Sequence, residues 1–270
     1  MSRRRIANIL RKEWQVMSRD TNSLLIITLL PLLIVGQLTL IIWLVNRFGG
    51  EAILATPMFQ NALGKLGQAL PAVAALPAGE QLQVFLLSQF NFYLLLIPTM
   101  IAISFATFSI VDEKLSGSLE ALLATPVRTW ELLLGKALSG AIPALLATWA
   151  CGGIFLLGVV GLGWGQLVKV VLNPAWFFSL FLLTPAVTVL SFLLGIIGSS
   201  RAKSTQSAQN LVLFIILPVL AFIGLQVTGV VWFTPQLTLI LALGLAMADI
   251  ITLKVAVGLF QRESIVVKWR

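Results

Sequence analysis

The chain has 270 residues, 59% of them hydrophobic and only 10% charged, with a net charge of +8. A mean hydropathy of +1.00 lies far outside the usage of soluble globular proteins. Histidine is absent and the one cysteine, Cys151, sits in an apolar run, which argues against a transition-metal site and excludes an internal disulfide framework.

The first twenty residues, MSRRRIANILRKEWQVMSRD, place Ile6, Ile9, Leu10, Trp14 and Met17 on one helical face. Arg3, Arg4, Arg5, Arg11 and Lys12 lie mostly elsewhere. This predicts a basic amphipathic helix over 1–20, lying on the inner leaflet as an orientation anchor or as part of a coupling device. No small-residue cleavage site follows the first apolar run, so a removable signal peptide is not expected.

A bilayer core needs roughly 20 consecutive apolar residues per helix, and six such runs are expected: Leu24–Val45, Val84–Val111, Ala137–Val160, Ala175–Gly198, Leu211–Val227 and Phe233–Leu259. The fifth is short and the sixth carries Asp249 and Lys254, so a re-entrant fifth element or a broken sixth helix is open. Pro98, Pro143, Pro185 and Pro218 are expected to kink their spans. The fold class is all-α: one polytopic membrane domain over 1–270. A transmembrane barrel would show short alternating strands instead.

With the N-terminus inside, fifteen Lys and Arg fall on the cytoplasmic side and three, Arg47, Lys65 and Lys169, on the other. This positive-inside bias accounts for the basic balance without nucleic acid. Trp43, Trp164, Trp176 and Trp232 sit near span ends, as interfacial anchors do. The outer loop 46–83 is rich in Ala, Gly and Pro. Within it Phe59, Leu63, Leu66 and Leu70 recur at helical spacing, which predicts a short helix on the outer surface, either a packed loop or an outer gate.

Between the second and third spans lies a charged island, DEKLSGSLEALLATPVRTWELLLGK, residues 112–136, which holds seven of the 28 charged residues. Leu115, Leu119, Leu122 and Leu123 form an amphipathic stripe. Pro126 ends that helix, and Thr129 is placed to cap the next, with Glu131 near its positive end. The segment reads as helix, break, helix, entering the membrane after Lys136. Its leucine stripe must bury against the membrane, the rest of the chain or a partner.

This segment resembles the signature loop of type 2 ABC exporter permeases at Glu113, Lys114, Gly117, Ser118, Glu120, Thr125, Pro126, Val127, Gly135 and Lys136. Leu115 departs from it, since such proteins often carry a charge there. The opening ILRKEWQVMSRDTNSLLIITLLPLL and the closing GLFQRESIVVKW are similar to the family's ends, so the likeness runs along nearly the whole chain. The resemblance implies a cytoplasmic coupling loop over 112–136 that docks a separate ATPase through Glu113, Lys114, Gly117, Leu119, Glu120, Leu123, Pro126 and Trp130, with a cytoplasmic tail over 260–270. It implies two ATPase copies, a second permease copy or paralogue, and a cargo drawn from drugs, lipids, glycans or sodium ions. The membrane would be a bacterial or organellar inner or plasma membrane, with both termini cytoplasmic.

No Gly-x-x-x-x-Gly-Lys-Ser/Thr occurs, so ATP would bind a partner; this chain is expected to hold no cofactor or metal and to be no enzyme itself. Gln37, Asn91, Ser104, Thr107, Thr184, Thr188, Ser191 and Gln226 lie within spans and are expected to bond mostly between helices. No cargo-binding residue is assigned. Asp249, about 140° from Lys254 around a helix, is expected to be a structural contact. Two rivals remain at this level: an ion-gradient secondary transporter, and a non-transporting scaffold that recruits an ATPase.

Overall fold

The computed structural model describes residues 2–115, 117, 127–201, 216–217, 220–221, 224–225, 228 and 232–259. The described residues are mostly helical, with no strand among them, so the chain is an all-α polytopic membrane protein. In chain order the helices are α1 (Ser2–Met17), α2 (Thr21–Leu44), α3 (Gly50–Leu54), α4 (Pro57–Ala69), α5 (Pro71–Ala74) and α6 (Ala78–Ser88). They continue as α7 (Phe90–Leu115), α8 (Thr129–Gly161), α9 (Gly165–Val171), α10 (Pro174–Phe178), α11 (Thr184–Arg201) and α12 (Pro235–Leu259).

Five helical stretches among the described residues are long and apolar enough to cross a membrane: Thr21–Gly49, Ala78–Ala106, Thr129–Gly161, Pro174–Ser199 and Pro235–Leu259. They match five of the six expected runs. The fifth expected run, Leu211–Val227, falls mostly outside the described residues. The sixth is not broken, because α12 runs through Asp249 and Lys254 without interruption.

The α2 helix starts where Asp20 accepts from the backbone N–H of Asn22 (3.3 Å) and Ser23 (2.9 Å) and from the Ser23 hydroxyl (2.6 Å). The Ser23 bonds hold its carboxyl below the ordinary range. Pro31, Pro98 and Pro143 sit inside continuous helices. Pro185 follows a π-helical turn, Ser179–Leu183, which accommodates its missing N–H. The Thr184 hydroxyl donates there to the Ser179 carbonyl at 2.7 Å and to the Leu94 carbonyl at 3.3 Å.

The centre of the bundle is α7 against α11, flanked by α8. Two glycines let helices close up. A Cβ on Gly140 would overlap the Phe192 ring, and one on Gly195 would stand 2.7 Å from the Ala106 methyl. Phe90 and Phe155 stack at 4.0 Å between α7 and α8. By contrast only 11% of the apolar window of α12 and 22% of that of α2 are buried, so these helices present wide apolar faces outward.

The segment between α2 and α7 is an ordered helical cap. Leu63 and Leu66 of α4 are buried, and Phe59 meets Phe85 edge-on at 5.6 Å, as the helical spacing predicts. Two of the expected interfacial tryptophans are not simple anchors. Trp176 is only 5% exposed, and the Trp232 ring packs edge-on against Phe85 at 5.7 Å. Their position near a span end reflects burial under this cap, which one-dimensional hydropathy does not distinguish from the interface.

Candidate coupling site

Two features define the site. The helix expected after Pro126, α8, starts at Thr129 and continues without interruption into the third span, 33 residues in all. At 1.5 Å per residue that is about 50 Å, roughly 20 Å more than a hydrocarbon core. Glu131 and Lys136 lie in the first turns, so the surplus length is at this end. The cap also differs. Thr129 is the first helical residue and Arg128 is the cap, whose backbone N–H is satisfied by Glu131 Oε2 at 3.1 Å. A carboxylate three residues into a helix can return to the cap position, and it also complements the helix dipole.

The second feature concerns α1. Through Arg5, Ile9, Glu13 and Trp14 it packs along the start of α8. Arg5 Nη1 meets Glu131 Oε2 at 3.4 Å. Ile9 fills the place where Gly135 has no side chain, because a Cβ there would lie 2.9 Å from the Ile9 γ-methyl. Glu13 Oε1 holds Lys136 Nζ at 3.2 Å. Trp14 Nε1 donates to the Ser139 carbonyl at 3.0 Å. The contacts advance together along both helices, so α1 runs beside α8 in the same direction, descending toward α2.

The energetics separate these contacts. Lys136 is 1% exposed, and an ammonium so buried is tolerated only when paired. Arg5 is 38% exposed, so its ion pair is screened and contributes little. The Glu13–Lys136 pair together with the Ile9–Gly135 contact therefore fixes how the two helices sit. Glu131, 3% exposed, serves both as cap and as partner of Arg5.

The residues expected to dock an ATPase are only partly placed. Glu113 and Lys114 are in the last turn of α7. Gly117 follows in the left-handed region at φ +69° and is exposed with open space around it, a geometry that ends helices and favours glycine. Trp130 is half-buried in the first turn of α8. Leu119, Glu120, Leu123 and Pro126, with Leu122, lie outside the described residues. Sequence reasoning did not find the pairing of Arg5, Ile9, Glu13 and Trp14 with α8, because the hydrogen-bonded partners are 123 to 126 positions apart. The available signal was the pair of acidic and basic residues at Glu131 and Lys136 in an otherwise apolar helix.

The intramembrane polar residues also differ from expectation. Ser104 and Thr188 bond to carbonyls of their own helix, at 2.8 and 2.6 Å. Only Thr184 with Leu94, and Ser191 with Thr99 at 3.4 Å, join two helices. Asn91 is buried with no partner on its Oδ1 among the described residues, and Thr107 and Gln226 are not described at side-chain level. The buried Oδ1 of Asp249 has no hydrogen-bond partner among the described residues.

A helical bundle of apolar spans with a charged clasp at one end is a multi-pass integral membrane protein. Over residues 7–241 the chain matches the model of the ABC-2 family transporter protein. It belongs to that family and is a membrane permease of an ABC transporter, a non-enzymatic component whose family associates with an ABC ATPase subunit. Neither the curated proteins nor the solved structures return a match.

Proposed function

We propose that this chain is the membrane-spanning subunit of an ATP-driven exporter, with its termini and segment 112–136 on the cytoplasmic side. An ATPase docks on that segment, and its closure reaches the spans through the clasp of α1 on α8. The observation that carries the reading is the buried Glu13–Lys136 pair, two turns into the helix that directly follows the docking segment. Movement imposed on 112–128 cannot slide past α1 without straining the buried contact of Lys136 with Glu13.

The working unit pairs two ATPase subunits with two permeases, the second a copy or a paralogue, and the outward apolar faces of α2 and α12 leave room for such a neighbour. Cargo is amphipathic. A furrow of about 550 Å³ between α2 and α7 is lined by Leu25, Leu29, Leu33 and Met100, with Gln37 and Tyr93 as its polar groups. An apolar wall with two hydrogen-bonding groups suits a molecule with a long hydrocarbon part and one polar end.

The test is reconstitution with the cognate ATPase in proteoliposomes and measurement of labelled amphipath movement. ATP-dependent flux that is lost when Gly117 is made bulky, or when Glu120 is reversed to Lys, is expected. Flux driven by an ion gradient without ATPase, or island variants equal to wild type, would overturn the reading.

A further inference from the structure

With Arg5, Ile9 and Glu13 turned onto α8, the opposite face of α1 is left to whatever surrounds it. That face is ordered by chemistry. At 100° per residue, Arg4, Arg11 and Gln15 fall within about 40° of one another. Ala7, Leu10 and Trp14 flank them on one side, and Asn8 and Lys12 on the other, with Ser18 and Arg19 in the turn that follows. Ala7, Leu10, Arg11, Trp14, Gln15 and Ser18 line an open groove of about 610 Å³.

Three observations identify the groove's depth and charge. Trp14 donates to Ser139 while 41% exposed, so one end of its ring is held by α8 and its face is turned outward. Ser139 lies just past the charged turns of α8, and Thr21 begins the first span three residues after Ser18, so this part of α1 stands at the membrane boundary. Arg4, Arg11 and Arg19 are exposed and their guanidinium groups have neither hydrogen bond nor ion pair among the described residues, whereas Glu13, the acid of α1, faces Lys12 and Lys136.

We infer that this groove is a binding site for one anionic phospholipid, with Arg11 on the phosphate and an acyl chain along Leu10 and Trp14. Arg11 lies one turn from Trp14, away from the hydrocarbon, where a headgroup phosphate sits beside an interfacial tryptophan. A guanidinium presents a fork of donors matched to phosphate oxygens. Arg4 and Arg19 add a basic rim. A surface of an acidic protein would meet the arginines but would not call for the exposed Trp14 face beside them. The site makes the clasp sensitive to lipid charge, because the same short helix carries both.

Full-length protein is stripped of lipid in detergent and titrated with phosphatidylglycerol and with phosphatidylcholine of identical chains, with bound lipids counted by native mass spectrometry. Wild type is expected to prefer phosphatidylglycerol. Arg11→Gln should reduce that preference roughly five-fold, the effect of one arginine at an anionic surface. Lys65→Gln, at the opposite end of the molecule, should leave it unchanged. Equal binding of both lipids by wild type, or an intact preference in Arg11→Gln, overturns the proposal. If Arg11→Gln does not accumulate, wild type is measured in rising salt. Between about 0.1 and 1 M the Debye length falls from about 10 to 3 Å, so the preference must shrink, and a salt-independent preference overturns the site. Loss of ATPase co-purification in Arg11→Gln with phosphatidylglycerol preference retained would identify a protein-docking face instead and also defeats it.

Discussion

The Glu13–Lys136 pair offers the sharpest perturbation. Replacing Glu13 by Gln leaves a lysine that is 1% exposed without its carboxylate at 3.2 Å. At an effective dielectric of about 20, two unit charges at that distance interact by about 5 kcal/mol. Breaking a buried pair from one side typically costs about 3–5 kcal/mol. The neighbouring Lys12 cannot compensate, since it carries the same sign and is half-exposed at 3.6 Å from Glu13. Glu13→Gln is therefore expected to release α1 from α8. Hydrogen exchange of α1 amides should accelerate a hundredfold or more, since each 1.4 kcal/mol is a factor of ten. The double variant Glu13→Gln with Lys136→Met removes both charges and should restore most of the protection, because an apolar replacement of a buried ion pair is commonly neutral or better. In complexes with the ATPase, the single variant should hydrolyse ATP with cargo movement uncoupled, and the double should regain part of the coupling. Exchange in Glu13→Gln within two- or three-fold of wild type, or a double variant as loose as the single, would refute the reasoning.

Other expectations follow from the same geometry. Gly195→Ala brings a methyl to 2.7 Å of the Ala106 methyl and should lower stability by about 1–3 kcal/mol, read as thermal unfolding in detergent. Gly153→Ala, with open space at its Cβ, should instead be neutral or stabilising by up to about 1 kcal/mol. Asp249→Asn removes a carboxylate whose buried oxygen has no partner among the described residues, so unfolding temperature should rise while cargo flux persists; a loss of flux with normal assembly would point to ion coupling. Asp20→Ala should weaken the start of α2 by about 1 kcal/mol. Because the folded Asp20 carboxyl is held below its ordinary 3.8, its contribution is present above that pH and is lost as pH falls through the lower folded value. The mutant should thus flatten the acid limb of the stability profile.

How much of this was legible before the fold was known depends on the range of the interaction. Apolar runs long enough for a bilayer, the basic helix at the start and the charged segment before the third span are local or compositional features, and five of the spans lie where hydropathy places them. The Phe59–Leu63–Leu66 stripe likewise announces the α4 helix, because a 3.6-residue period is written in adjacent positions. The direction in which a stripe faces is not so written. The faces of α1 could cover lipid or protein with equal periodicity, and only the approach of Gly135 to Ile9 and of Lys136 to Glu13 sends that side of the helix onto α8. Glu131 and Lys136, read from hydropathy alone, look like solvent residues. They are buried because their partners arrive from more than 120 positions away. The sequence alone thus determined that this chain spans a membrane and carries a charged island, since both follow from local composition. The tertiary structure decided that the island's second helix is clasped by the first helix of the chain, since pairing two buried charges requires a meeting in space that spacing along the chain does not encode.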